Sequence, residues 1–341
     1  ADFIFSFAWS CVLKKLEAYM QETHALVHFE GQTDLPLFGQ ACTNGLWAPF
    51  LGPTWMDDLA VCLQSDLPTS LVSMTGHVTS KLIDLCQYHC MTPNLAKGKT
   101  EIMMMFRGPG SRKAKVDYYG PHSSGTLPVL GEHGLHQVQL VSAYRHLGGI
   151  LHHTGDQHAE IKRRTGIAHQ AFNQNRKVVF QNIKIDIKKR CELFEMLVLS
   201  KFLYGADTWI AMDTRTMTRF QASIFKLYRR LLQRQASWHL SDEEVLDQLR
   251  MPCPTDLLRR ARLRYFCTLV QMRQADIWAL LARDTEWMGL LEQDILWMWM
   301  QLRNSSGLPD PRENFGYWRN LVLHSPGYWK RLIKRAIQHA V

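Results

Sequence analysis

The sequence has no long apolar run. Its most hydrophobic opening stretch, Phe3 to Leu13, is too short to cross a bilayer and carries neither a basic leader nor a cleavage site. No transmembrane segment and no signal peptide are therefore expected, and the chain is read as intracellular, nuclear or cytoplasmic. Internal repeats and low-complexity tracts are also absent. The eight cysteines (Cys11, Cys42, Cys62, Cys86, Cys90, Cys191, Cys253 and Cys267) are scattered through apolar contexts. That spacing suits free thiols in a reducing compartment better than a disulfide frame. Cys86-Gln87-Tyr88-His89-Cys90 holds half the ligands of a zinc site, but no second pair follows at finger spacing, so these residues are assigned to packing. Acidic residues are in deficit: 31 Asp and Glu stand against 40 Lys and Arg, giving a net charge of +9. A polyanionic partner follows, nucleic acid or an acidic membrane surface.

At 341 residues the chain suggests two or three domains, and 46% hydrophobic residues are ample for buried cores. Residues 1 to about 24 read as an amphipathic helix with Ile4, Phe7, Cys11 and Ala18 on one stripe and Phe5, Trp9, Val12 and Leu16 flanking it. A Gly- and Pro-rich loop leads to Thr54-Trp55-Met56-Asp57-Asp58-Leu59-Ala60-Val61-Cys62-Leu63. Two carboxylates between two apolar runs predict a tight β-hairpin with the aspartates at its turn. Adjacent carboxylates repel unless a cation sits between them, and hard oxygens suit Mg²⁺, with Mn²⁺ as the alternative ion. The bland reading is an ordinary turn in which Asp bonds its own backbone.

A helix then starts near Ser65-Asp66-Leu67-Pro68 and buries Leu71, Thr75, Val78, Leu82 and Leu85, and Thr100 to Phe106 reads as a strand returning beside the hairpin. Residues 107 to about 143 read as a surface excursion and hinge, with a short strand at Gln137 to Val141. From Asp156 onward the pattern is helix after helix: 156 to 181, 186 to 204, and a third after Asp213 with Met217, Phe220, Ile224, Leu227 and Leu231 in a three-four repeat. Residues 160 to 190 hold nine Lys or Arg against two acids. Lys162, Arg163, Arg176, Lys177, Lys188, Lys189 and Arg190 are the candidate nucleic-acid contacts. Ser241-Asp242-Glu243-Glu244 forms a capping box, Pro252 to Thr255 breaks the chain before a basic helix, and the late tryptophans are assigned to core. The fold class is α+β, mostly helical, with domains at 1–143, 144–235 and 236–341.

In this order the pieces resemble the C-terminal part of a non-LTR (LINE-type) retrotransposon reverse transcriptase. Trp55-Met56-Asp57-Asp58 is similar to the family's aromatic-x-Asp-Asp hairpin, with Trp where Tyr or Phe is usual. Asn94-Leu95-Ala96-Lys97-Gly98-Lys99-Thr100-Glu101 resembles the next palm motif, and Tyr144-Arg145-His146-Leu147-Gly148-Gly149 resembles the signature that opens the thumb. Leu203-Tyr204-Gly205-Ala206-Asp207-Thr208-Trp209 and Arg259 to Tyr265 resemble two thumb and post-thumb motifs. The likeness covers about residues 1 to 272.

The resemblance implies a partial palm (1–143), a helical thumb (144–235) and a C-terminal helical region (236–341). It implies two-metal nucleotidyl transfer with Asp57 and Asp58 as metal ligands and Lys99, or Lys97, near the triphosphate. Trp55 and Met56 would pack the primer end, while Tyr204 and Trp209 would be thumb core. The implied partners are an RNA template, a DNA primer, deoxynucleoside triphosphates and an N-terminal part of the same polyprotein. Ala1 to Met20 resemble the helix after the nucleotide-pocket motif, so the fingers and the strand bearing the remaining catalytic Asp are expected upstream and this segment is expected to be inactive alone. The rival is a non-catalytic nucleic-acid-binding helical module with a decayed or incidental Asp-Asp turn. A membrane-surface protein ranks last, because the apolar helix faces are committed to the bundle.

Overall fold

The computed structural model describes residues 2–32, 37–39, 44–55, 58–232, 239–272 and 275–340. The fold is α+β and mostly helical. It divides into two compact units, residues 1–30 with 46–156 and residues 31–45 with 157–341.

In the first unit α1 (Asp2–Glu22) buries Val12, Leu16 and Met20, which recur every fourth residue, and leaves Phe7 68% exposed. The apolar stripe expected through Phe7 is thus corrected to the one expected to flank it, because Val12, Leu16 and Met20 are the residues that share a core with α2. β1 (Val27–Gln32) pairs with β2 (Asn44–Phe50), and β3 (Thr54–Trp55) pairs antiparallel with β4 (Asp58–Leu59). α2 (Pro68–Tyr88) has proline at its start, where the missing N–H is not needed and φ is already helical.

After α2 come β5 (Glu101–Ile102), α3 (Ser111–Tyr119), β6 (Thr126–Gly131), β7 (Gly134–Leu140), β8 (Ala143–His146) and β9 (Gly149–His152). The run Glu101 to Phe106 buries alternate residues, Ile102, Met104 and Phe106, as a strand should. Its partner differs from expectation. β5 pairs in parallel with β7 in a sheet of order β5-β7-β6, while β3 and β4 form a sheet of their own. The segment read as a surface excursion is likewise a folded helix and hairpin, because Ala114, Leu127, Val129, Val138 and Leu140 enter the core beneath α2. α2 is buried on two sides: Ile83 meets this sheet, and Val78, Leu85 and Cys86 meet α1.

In the second unit α4 (His158–Asn175) ends in a π-helical turn, Arg176–Phe180. α5 (Ile187–Phe194) runs through another, Glu195–Leu199, into α6 (Ser200–Phe202), and α7 (Thr214–Leu232) follows. α8 (Asp242–Leu249) opens with the capping box: the Glu244 amide donates to Ser241 Oγ and the Ser241 amide to Glu244 Oε2. α9 (Pro254–Met272), α10 (Ala275–Arg283), α11 (Thr285–Ser306), α12 (Phe315–His324) and α13 (Pro326–Ala340) complete the unit.

Phe172, Phe194, Phe220, Ile224 and Tyr228 form one core with Leu257 and Leu258 of α9; Leu263, Phe266 and Val270 of the same helix belong to a second core with Trp287, Trp318 and Trp329. Most of the late tryptophans are therefore packing residues. No helix among the described residues is long and apolar enough to cross a membrane. Cys86 and Cys90, free thiols, are buried and exposed respectively, and no group of three potential metal ligands occurs among the described residues.

Candidate functional site

The hairpin is positioned from its own alternation. Leu59, Val61 and Leu63 are two apart and pack against the core of α1 and α2, so Asp58, on the opposite face, is exposed. The pairing Trp55 with Asp58 and Thr54 with Leu59 is extended by the Ala60 amide donating to Pro53 O (3.1 Å) and the Cys62 amide to Leu51 O (3.0 Å). Gly52 is required here, since a Cβ would sit 1.7 Å from Ala60 O. Asp57 and Met56, together with the side chain of Trp55, lie outside the described residues.

The second motif is a built loop. Asn94 Oδ1 accepts from the Ala96 amide (3.0 Å), the Thr100 amide donates back to Asn94 O (2.9 Å), and Glu101 Oε1 accepts from the Gly98 amide (2.6 Å). Gly98 takes a positive φ of 81° that favours glycine. Lys97 and Lys99 are held outward and exposed.

The third motif closes onto the second: the Tyr144 hydroxyl donates to Lys99 O at 3.2 Å. Burial first, then the negative charges of Asp58 and Glu101, hold the Tyr144 phenol above its ordinary value. Asp58, the Lys99–Glu101 loop and Tyr144 thus share one neighbourhood in the first unit, although they are scattered over more than eighty residues of sequence.

The basic candidates in the second unit divide into two kinds. Lys162, Arg176, Lys177, Lys188 and Lys189 are exposed. Arg163 is half-buried with Glu160 at 3.6 Å, and Lys189 pairs with Glu192 at 2.9 Å. Arg190 faces inward and donates to Phe180 O (3.1 Å) and Leu231 O (3.3 Å), so its guanidinium ties helix ends together. Packing of α7 on α4 adds cations that α4 alone does not show. Arg219 and Lys226 are exposed, and Arg230 donates to Asn173 Oδ1 (2.6 Å) and reaches His169 Nδ1 (3.2 Å).

No protein-family model and no solved structure matches the chain. A putative uncharacterized transposon-derived protein of Caenorhabditis elegans is 27% identical to it over 190 residues, which is 53% of this chain and 62% of that protein. The relative is transposon-derived. The match spans less than two thirds of its length.

The two later motifs prove to be architectural. Trp209 is buried, whereas Tyr204, expected in the core, is 53% exposed, with the Arg164 guanidinium 4.5 Å from its ring centroid. The arginine-rich helix is α9, and its cations are largely internal. Arg262 makes two bonds to Asp294 (2.6 and 3.2 Å), Arg259 reaches Asp256 (2.7 Å), and Arg260 reaches Glu195 (3.4 Å). Composition alone does not reveal this, because only Asp256 is local; Asp294 lies thirty-two residues after Arg262 and Glu195 sixty-five before Arg260.

Proposed function

We propose that the chain is a segment of an RNA-directed DNA polymerase of a non-LTR, LINE-type retrotransposon, carrying the end of the palm and the thumb. The observation that supports this best is the Tyr144 to Lys99 bond beside Asp58 and Glu101, which gathers three separately read motifs around one hairpin. The transposon-derived relative points to the same origin.

Asp57 and Asp58 would hold Mg²⁺ or Mn²⁺, which when bound supplies Lewis-acid activation of a primer 3′-hydroxyl and neutralises charge at the phosphate. Asp58 fits in donor type and exposure. Two-metal transfer needs carboxylates from more than one strand, so a further one is assigned to the strand that the resemblance puts before Ala1. Lys99, exposed at the end of its rigid loop, would meet the incoming triphosphate. The exposed Lys162, Arg176 and Lys177 would track the template-primer backbone without reading bases.

The test is primer extension on an RNA template. Residues 1–341 alone should give none with Mg²⁺ or Mn²⁺, and adding the upstream segment in cis or in trans should restore activity that Asp57→Asn or Asp58→Asn abolishes. Extension by residues 1–341 alone, or restored activity that survives both substitutions, overturns the reading.

A second reading, a non-catalytic nucleic-acid-binding module, is favoured by the concentration of positive charge in the second unit. It predicts retained duplex binding with no extension under any arrangement of the upstream segment.

A further inference from the structure

From Asn314 to Val341 the chain has five Lys or Arg, two His and no acid. α13 buries Trp329, Leu332, Ile333, Ala336 and Ile337. That three-four spacing turns Lys330, Arg331 and Lys334 together onto the exposed face. The Trp329 indole donates to Leu263 O at 2.9 Å and seats α13 along α9. Lys330 lies near enough to Cys267 for its charge to act on that thiol. The Arg331 guanidinium lies 5.6 Å from the centroid of the Tyr328 ring, which restrains its plane.

We infer that the exposed face of α13 binds the phosphate backbone of a nucleic-acid duplex, apart from the α4 and α7 cations, which are built on the other core of the unit. Lys330 and Lys334 are one helical turn apart, about 6 Å along the axis, which lets both reach phosphates of one strand. A lipid surface fits less well. An interfacial helix must offer an apolar face to the bilayer, and that face of α13 is packed in the core. The inference goes beyond the polymerase reading and does not depend on it.

The experiment uses the full chain and a fluorescent DNA duplex of arbitrary sequence, about 20 base pairs long, titrated between about 50 and 200 mM salt. Changing Lys330, Arg331 and Lys334 together to Gln should lower the slope of log affinity against log salt by about 2 to 3, at about 0.9 per lost phosphate contact. The unfolding midpoint should not move, because the three side chains are exposed. The same drop should appear in a Lys162→Ala, Arg176→Ala, Lys177→Ala background, which separates this face from α4. An unchanged slope overturns the inference. So does a variant that keeps duplex affinity but loses binding to phosphatidylserine vesicles, since the face would then serve a membrane. Failure of primer extension leaves this result untouched, so the two readings fail separately.

Discussion

Each unit is organised around one helix buried on two sides, α2 in the first and α9 in the second, yet the two handle charge in opposite ways. The first unit carries ten Lys or Arg against twelve Asp or Glu, and the second thirty against nineteen. The chain's basicity is therefore a property of the second unit alone. Inside, α2 buries Asp84 and satisfies it with a backbone donor, the Glu132 amide at 2.9 Å. α9 instead buries Arg262 and Asp256 and satisfies them with ions. The first unit thus holds a buried acid with a backbone dipole, whereas α9 holds its buried charges with opposite charges. A basic helix in the sequence is therefore not yet a binding surface: α9 turns much of its charge inward and α4 buries Arg164 on Glu160, whereas α7 and α13 expose most of theirs.

The sharpest way to break that contrast is to remove the acid that α9 depends on. Burial pushes the Asp294 carboxyl up while Arg262 and Arg259 pull it down, and the salt bridge leaves both Arg262 and Asp294 almost without solvent. Asp294→Ala strands the guanidinium and should destabilise the second unit by about 3–5 kcal/mol in denaturant unfolding. Replacing both partners by apolar residues of similar size, Arg262→Met with Asp294→Leu, should recover most of the loss. Amide protection in β6 and β7 should not change in either variant. A single-variant cost below about 1 kcal/mol would place the pair among surface ion pairs and erase the distinction between the helices.

The first unit is most sensitive where its backbone is closest. In Gly52→Ala the new Cβ would lie 1.7 Å from a backbone oxygen, Ala60 O, which cannot swing aside as a side chain could. The hairpin must shift, at a cost on the order of 1–3 kcal/mol for local backbone strain. Hydrogen exchange should accelerate at the Ala60 and Cys62 amides, whose bonds to Pro53 and Leu51 span the same approach. Protection in α7 and α9 should be unaffected. Equal loss in both units would mean that the hairpin is not a local device of the first.

Local pattern made the helices legible. The repeat Phe220, Ile224, Leu227 and Leu231 is buried as read, and the Ser241 capping box is present. The hairpin was legible too, because two apolar runs flanking a polar pair have few other solutions; Asp57 itself lies outside the described residues. What pattern could not supply was partnership. β5 and β7 pair across a gap of more than thirty residues, so the hydrophobic alternation that marks each strand says nothing about which strand it meets. The dense Gly and Pro of 107–143 hid a hairpin whose inward residues, Leu127 with Val129 and Val138 with Leu140, come in pairs too short to stand out. Arg190 reads as a nucleic-acid contact, and Arg262 only as part of a basic helix, because charge has no periodic signature of its own and packing alone shows which way a guanidinium turns. The bond between Tyr144 and Lys99 was invisible for the same reason.

The smallest effect lies at His169, and it tests whether the positive field assigned to the second unit is felt at a single site. Its Nδ1 faces the Arg230 guanidinium at 3.2 Å, and an arginine always donates, so the ring nitrogen must accept and stay unprotonated. Burial first, then Arg230 and Lys226, hold the imidazole below its ordinary value of 6.5. A folded-state value below the unfolded one means that the unfolded chain binds the proton more readily. This contribution to stability is therefore complete above pH 6.5 and is lost as pH falls from 6.5 through the lower folded value. An NMR titration of the His169 ring should give a midpoint below 6.5, and Lys226→Ala should move it upward, with Arg230→Ala moving it further because both a charge and a donor are lost. Bound duplex should act in the same direction, since phosphates laid over Lys226 and Arg176 offset the charges that disfavour protonation. A midpoint that does not move when duplex binds would take the backbone away from the α4 and α7 face and leave α13 as the surface through which the second unit holds nucleic acid.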